Sequence, residues 1–112
     1  MNPHAKFIAI TKATAKPGHL DPVAQLFAET NPDLVKDQPD WLEAVFSADP
    51  VTNEITVLAF WASDESYRLF SSSPAFRSTM GQFAQHLAGP PVVSVSSVLV
   101  GMTQDSVWSF SI

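Results

Sequence analysis

Cysteine is absent from the chain of 112 residues, so the protein has no disulfide framework and no thiolate for metal binding or nucleophilic catalysis. Basic residues are few as well. Six Lys and Arg stand against 11 Asp and Glu, which gives a formal net charge of -5. Because such a surface repels phosphate backbones and the cations form no cluster, we expect no nucleic-acid partner.

Long apolar runs and targeting signals are also missing. No window approaches the roughly 18 apolar residues of a membrane span, and the first dozen residues lack an apolar stretch beside a small-residue cleavage site. We therefore expect a cytoplasmic protein with no membrane partner. The chain also lacks a glycine-rich phosphate loop, a dinucleotide fingerprint and a nucleophile elbow, so no nicotinamide, flavin or other cofactor is expected.

The residues that are present suit one domain over 1–112, since 46% of them are hydrophobic. Nine prolines fall where the hydrophobic period changes, and none is predicted to interrupt a helix or strand. Asp21 and Pro22 predict the start of a first helix that ends at Asn31, before a loop over 33–40 with at most one helical turn.

Hydrophobic periodicity and turn residues predict the remaining elements. Strands are expected over 7–13, 41–48, 54–61 and 92–102, with an extra carboxy-terminal strand over about 106–112. Ser63 and Ser73 are predicted helix caps, and the second of these helices presents Phe76, Met80, Phe83 and Leu87 before it stops at Gly89. This order is the split βαβ pattern of a ferredoxin-like α+β fold with an antiparallel sheet.

Two predicted strands are apolar on both faces. The third strand has Ile55, Val57, Ala59 and Trp61 on one face and Leu58 and Phe60 on the other. Simple alternation in the second strand places Trp41 and Val45 opposite Leu42, Ala44 and Phe46. Because the helices can cover only one face, we predict a homodimer in which two sheets pack together. The alternative is that the tail over 107–112 folds back over its own sheet.

Four segments, 39–42, 49–50, 54–63 and 72–76, resemble the antibiotic biosynthesis monooxygenase (ABM) superfamily. The family ends its third strand in a Trp-x-Ser step, here Trp61 to Ser63, and starts a later helix at a Ser-Pro-x-Phe-like step, here Ser73 to Phe76. The resemblance extends from Phe7 to about Val100. It implies a dimeric α+β barrel, a class that includes cofactor-free monooxygenases, haem-degrading enzymes and proteins without a demonstrated reaction.

Three positions depart from the family pattern. Asp40 stands where many members have glycine, which implies a different loop before the second strand. In the haem-degrading branch a histidine and a tryptophan lie on the second helical region, and the matching residues here are Met80 and Phe70. Haem binding or degradation is therefore the third-ranked function, with ligation by the Met80 thioether left open.

The resemblance implies a cofactor-independent monooxygenase that oxidises a small aromatic or quinol-like substrate with O₂. Trp61 and Tyr67 are the predicted catalytic residues, since both can face a cleft between the sheet and the helices, although ordinary core packing also explains them. The predicted substrate pocket is apolar and consists of Phe70, Phe76, Met80 and Phe83. The alternative function is a non-catalytic dimeric barrel that binds a small hydrophobic ligand.

The three histidines give little direct indication of chemistry. His4, His19 and His86 do not form an i, i+3 or i, i+4 pair, so no metal site is expected. His86 is predicted to lie at the surface near the end of the last helix. His19 precedes the first helix and is the third catalytic candidate, as a general base.

Overall fold

A computed structural model describes residues 4–110 as a four-stranded antiparallel sheet with helices on one face, followed by a small two-stranded hairpin. The elements are β1 Phe7–Thr14, α1 Leu20–Val35, β2 Trp41–Asp49, β3 Glu54–Trp61, α2 Asp64–Ser71, α3 Pro74–Phe83, a 3-10 turn Ala84–His86, β4 Val92–Ser97, β5 Val100–Met102 and β6 Val107–Ser109. The predicted ferredoxin-like α+β fold is confirmed. None of the described helices is both long and apolar enough to cross a membrane.

The strand order is β2-β3-β1-β4, so β1 lies inside the sheet and pairs with both β3 and β4. Side chains alternate between the two faces of each strand. The inner face, which the helices cover, includes Ala9, Thr11, Ala13, Ala44, Phe46, Ile55, Val57, Ala59 and Trp61. The outer face includes Ile8, Ile10, Lys12, Val45, Thr56, Leu58 and Phe60.

A bulge at the start of β2 changes the face on which Trp41 lies. The pairing register with β3 shifts between Trp41 and Glu43, so one extra residue occupies this strand. Trp41 consequently shares the inner face with Ala44 and Phe46, and the predicted placement of Trp41 beside Val45 is wrong. Simple alternation missed it because a bulge restarts the two-residue period.

Helix α1 is longer than predicted at both ends. It begins at Leu20 with His19 as N-cap, so Asp21 lies in the first turn instead of capping the helix. It also continues through Pro32 to Val35, where the sequence had predicted a loop. Pro32 removes one N–H in the last turns, but the buried Val35 packs with Trp61 and Phe70, and that burial offsets the loss.

The β2–β3 hairpin agrees closely with the sequence prediction. The backbone N–H of Asn53, whose φ is 63°, donates to the Asp49 carbonyl oxygen over 2.8 Å. The Asp49 carboxylate accepts from the backbone N–H of Val51, also over 2.8 Å. Asparagine tolerates a left-handed conformation, so these residue types fix the turn and with it the register of two strands.

Both predicted serine caps are confirmed. The Ser63 hydroxyl accepts from the Ser66 N–H, and the Ser73 hydroxyl accepts from the Phe76 N–H, each over 3.2 Å. The helix that follows Ser73 ends earlier than predicted, because Leu87 is extended and pairs with Ala15. Backbone bonds to the end of β1 thus replace the last helical turn.

The predicted strand over 92–102 is interrupted. β4 ends at Ser97, and the chain then forms the separate β5–β6 hairpin. Gly101 lies directly under the indole of Trp108, where a Cβ would overlap the ring, and the same ring stacks on His4 at 4.0 Å. Of the predicted last strand, Val107–Ser109 is present, and its predicted end at Ile112 lies outside the described residues.

Candidate functional site in the cavity between sheet and helices

A cavity of about 340 Å³ lies between the inner face of the sheet and the helices. The sheet contributes small side chains to its lining, among them Ala9, Ala13, Ala44 and Ala59. The helices contribute Phe27, Phe70, Phe76, Met80 and Phe83. Because alanines on the sheet leave the space below the helical aromatics unfilled, the sequence itself specifies a hollow of the size that small-molecule sites usually have.

Aromatic rings form one end of this cavity. Trp61, at the end of β3, is only 1% exposed. Its ring lies 5.6 Å from that of Tyr67 in an edge-on arrangement and 5.2 Å from that of Phe70. Phe76 meets Phe70 edge-on at 5.1 Å. The cap at Ser63 starts α2 directly after β3, which is why a strand tryptophan and the helical Tyr67 come together.

Two tryptophans of the lining carry buried indole N–H groups. Trp41 and Trp61 are paired across β2 and β3, and the Nε1 atom of each has no hydrogen-bond partner among the described residues. An unsatisfied buried donor costs about 1–3 kcal/mol, so such groups in a native fold need an explanation. Neither Nε1 atom is open to the cavity, so a ligand oxygen would contact it only after the neighbouring side chains move.

Among the described residues that line the cavity, Tyr67 is the one with a titratable side chain. Burial raises the pKa of its hydroxyl above the ordinary value, and a hydrogen bond with the Ser71 side chain offsets part of that rise. The hydroxyl therefore stays protonated at neutral pH and is available as a hydrogen-bond donor. It is not suited to act as a base there.

The rest of the described lining carries no charge. Among the described residues that line the cavity, none is acidic, basic or a histidine, and the polar side chains apart from the indoles are Thr11, Asn31 and Tyr67. Asp40, the departure from the family glycine, lies beside the site instead of in it. Its carboxylate accepts from the Ser66 hydroxyl and its carbonyl oxygen accepts from the Ala62 N–H, which joins the start of β2 to α2.

The structure brings together six of the seven residues singled out from the sequence: Trp61, Tyr67, Phe70, Phe76, Met80 and Phe83 all line the cavity. His19 is not part of the described lining, and its ring contacts that of His86. His86 is accordingly half-buried, although the sequence predicted a surface position. The sequence did not predict Trp41 as a lining residue, because the bulge that places it on the inner face is not visible in the sequence. It also did not predict Asn31, which was expected at the end of the first helix but lies inside α1.

Similar proteins share this fold. A monooxygenase of Streptomyces coelicolor, solved with the ligand nanaomycin D, is 17% identical, with a TM-score of 0.76 and 91% and 95% of the two chains covered. A Nitrosomonas europaea protein of unknown function is also 17% identical, with a TM-score of 0.73 and 91% and 97% covered. A Mycobacterium tuberculosis protein is 13% identical, with a TM-score of 0.73 and 88% and 100% covered.

At these identities the structural similarity shows the fold alone, and no curated protein matches the chain in sequence. The family is shown by a different comparison. The sequence model of the antibiotic biosynthesis monooxygenase family matches residues 6–82, which is more than half of the chain and includes β1 through most of α3. The chain therefore belongs to the antibiotic biosynthesis monooxygenase family.

Proposed function

We propose that the protein is a cofactor-independent monooxygenase that oxidises a small aromatic or quinol-like substrate with O₂ in the cavity. The observation that carries this proposal is an apolar, aromatic cavity whose lining includes Tyr67, with its protonated hydroxyl, and two tryptophans whose indole N–H groups have no partner among the described residues. Such a site is suited to a flat apolar ligand with oxygen atoms at one end.

The chemistry needs no group beyond substrate and O₂. An electron-rich anthrone-type phenol loses a proton and transfers electron density to O₂, and a carbon–oxygen bond forms to give a hydroperoxide at the former CH₂ carbon. Loss of water from that carbon leaves a carbonyl group. One oxygen atom of O₂ enters the product and the other leaves as water, while the two hydrogens come from the substrate, so no external reductant is required.

The cavity residues would assist by holding the substrate anion. Donors that are already in place and shielded from water stabilise developing negative charge better than water does. We assign that role to the Nε1–H groups of Trp61 and Trp41 and to the Tyr67 hydroxyl. Phe70 and Phe76 would pack on the substrate ring and exclude water.

No described lining residue is a base at neutral pH, so we propose that the acidity of the substrate itself, raised by these donors, permits its ionisation. The role of His19 as a general base stays a prediction. Its ring would have to leave His86 and enter the cavity to act on a bound substrate.

Binding of a hydrophobic ligand without catalysis is the second candidate function. The observation that favours it is the absence of acidic, basic and histidine side chains from the described lining. Such a cavity can hold an apolar molecule without any reaction. The S. coelicolor relative solved with nanaomycin D supports ligand binding by this fold and is compatible with both functions.

Oxygen uptake separates the two functions. An anthrone and a hydroquinone would each be mixed with the protein in an oxygen electrode, and binding of the same compounds would be followed by tryptophan fluorescence. Acceleration over buffer, with one labelled atom from isotopic O₂ in the product, is the expected result. Binding without acceleration would favour the second function, and the absence of both would contradict each.

We also propose that the protein is a homodimer in which the outer faces of two sheets pack together. Ile10, Leu58 and Val45 form a continuous apolar row across β1, β3 and β2, and Val45 is 41% exposed. Lys12 and Glu43 lie at opposite ends of this face, which gives an apolar centre with a polar rim. A second copy is the simplest cover for such a face.

A further inference from the structure

The fold brings together two histidines that are 67 residues apart in sequence. His19 is the N-cap of α1, and His86 ends the 3-10 turn that follows α3. Backbone bonds hold both in place: the Lys16 N–H donates to the His86 carbonyl oxygen, and the His19 N–H donates to that of Lys16, each over 2.9 Å. These bonds hold the two backbone segments beside each other, so the imidazole rings start from fixed points of the fold.

The two rings face each other through the same type of nitrogen. The Nδ1 atoms are 3.0 Å apart, the ring centroids are 5.2 Å apart and the ring planes are inclined by 53°. In the neutral pair one Nδ1–H donates to the lone pair of the other Nδ1. Two imidazole nitrogens bound to a tetrahedral zinc ion at about 2.0–2.1 Å lie about 3.3 Å apart, so an ion needs a separation only about 0.3 Å larger.

We propose that His19 and His86 form a binding site for a divalent first-row transition-metal ion, with both Nδ1 atoms as ligands. Imidazole suits zinc, copper and nickel, and the general affinity order predicts that Cu²⁺ binds most tightly. Within residues 4–110 no group of three or more metal-ligating side chains occurs. Water therefore completes the coordination, and the site is open to exchange.

Metal binding requires one proton to move. A ring that uses Nδ1 as a ligand carries its proton on Nε2, so the histidine that donates in the neutral pair must change tautomer. The carboxamide of Gln85 lies 3.4 Å from Nε2 of His86, and its oxygen can accept the Nε2 proton when the amide is turned towards the ring. Metal-bound histidines usually donate their second N–H in this way.

A bound ion would join two parts of the helical layer. His19 caps α1, while Leu87, which follows His86, and Ala84, two residues before His86, line the cavity described above. Because a ligand that binds only the folded state stabilises it by mass action, the ion should raise the midpoint of thermal unfolding. The site is distinct from the aromatic end of the cavity and does not depend on the proposed oxidation.

The test is a calorimetric titration of the full chain with the chlorides of Zn²⁺, Cu²⁺ and Ni²⁺, in a buffer that does not bind metals. We expect one ion per chain and binding about 10²-fold weaker in His19→Gln or His86→Gln, because the second ligand of a chelate acts intramolecularly. His4→Gln is the matched control, since His4 stacks on Trp108, and it should bind as the unmodified chain does.

A second measurement works without any variant. Paramagnetic Cu²⁺ or Ni²⁺ should broaden the imidazole proton resonances of His19 and His86 at low metal concentration, while those of His4 stay sharp. The proposal is overturned if the unmodified chain binds no ion, if His4→Gln removes the binding, or if the broadening is equal at all three histidines. In the first case the pair would be a hydrogen bond only.

Discussion

Along the middle of β1 the two faces of the sheet differ in the size of their side chains. The inner-face residues Ala9 and Ala13 are small, and the outer-face residues Ile8 and Ile10 are large. Yet the inner face is the one covered by helices, while the outer face is half-exposed. On β1 the small residues thus lie where a hydrophobic core would normally be filled, and the large ones lie on the face that the described helices leave uncovered.

This difference assigns separate tasks to the two faces. Small side chains below aromatic helices leave the cavity of about 340 Å³, because protein interiors otherwise close to nearly crystalline packing. Large apolar side chains on an uncovered face form a surface whose removal from water by another surface is favourable. The proposed ligand chemistry thus belongs to the inner face and the proposed association to the outer one, and the predictions below test that division.

The largest effect is expected on the outer face. Leu58→Asp should convert a dimer into monomers, because a two-fold interface would bury the introduced carboxylate twice. If the free energy of association falls by about 3 kcal/mol or more, the dissociation constant of the dimer rises by more than about 10²-fold. Sedimentation equilibrium at several concentrations measures this directly.

Leu69→Asp provides the control for that experiment. Leu69 is 67% exposed on α2, in the helical layer and not on the outer face, so the same change of residue type should leave the association unchanged. A sedimenting mass of 12.2 kDa for the unmodified chain at micromolar concentration would contradict the dimer. If Leu69→Asp weakened association as much as Leu58→Asp does, the outer face would not be the dimer interface.

A smaller effect is expected on the inner face, from Trp61→Phe. The variant keeps an aromatic ring in the lining but removes a donor that we assign to the substrate oxygen. A hydrogen bond to a charged group is worth about 1.5–3 kcal/mol, so kcat/KM for anthrone oxidation should fall by about 10- to 100-fold. Oxygen uptake measures the rate, and circular dichroism verifies the fold.

Trp108→Phe is the matched control for Trp61→Phe. Its Nε1 is also buried with no partner among residues 4–110, but the residue belongs to the β5–β6 hairpin and not to the described cavity lining. Its removal should leave kcat/KM within about twofold, because no donor to the substrate is lost. Equal losses in both variants would show that general packing matters and the assigned donor does not.

Much of the fold was predictable because the decisive interactions are local. The turn at Asn53 and the serine caps at Ser63 and Ser73 depend on residues within four positions of each other. Their chemistry is therefore visible in the sequence. The apolar stripe after Ser73 likewise predicted pocket residues, since side chains at helical spacing share one face.

The features that were missed depend on contacts between distant segments. Burial of Val35 against Trp61 carries α1 past Pro32, and pairing of Leu87 with Ala15 ends the helical region early. The contact of His19 with His86 joins residues that only the complete fold brings together. None of these leaves a periodic signal in the chain, because each is an outcome of tertiary packing and not of local preference.

The smallest expected effect on activity comes from Tyr67→Phe, and it tests whether the inner face shields its polar groups from water. Removal of the hydroxyl deletes one donor among three, so kcat/KM should fall by about tenfold. Tyr67 is the single tyrosine of the chain, and the absorbance of tyrosinate therefore reports its ionisation without interference from other tyrosines.

In the folded protein the midpoint of this titration should lie above that of the chain in urea, where tyrosine ionises near pH 10, because burial raises the pKa of Tyr67. The sign of the linked stability follows. The neutral hydroxyl is favoured in the folded state, so this contribution is complete below about pH 10 and is lost as the pH rises through the folded-state pKa. Tyr67→Phe should remove this loss of unfolding free energy at alkaline pH, which urea unfolding between neutral and alkaline pH measures. If the tyrosinate titration had the same midpoint in the folded and the unfolded chain, water would reach the hydroxyl freely. The inner face would then not shield its polar groups from water.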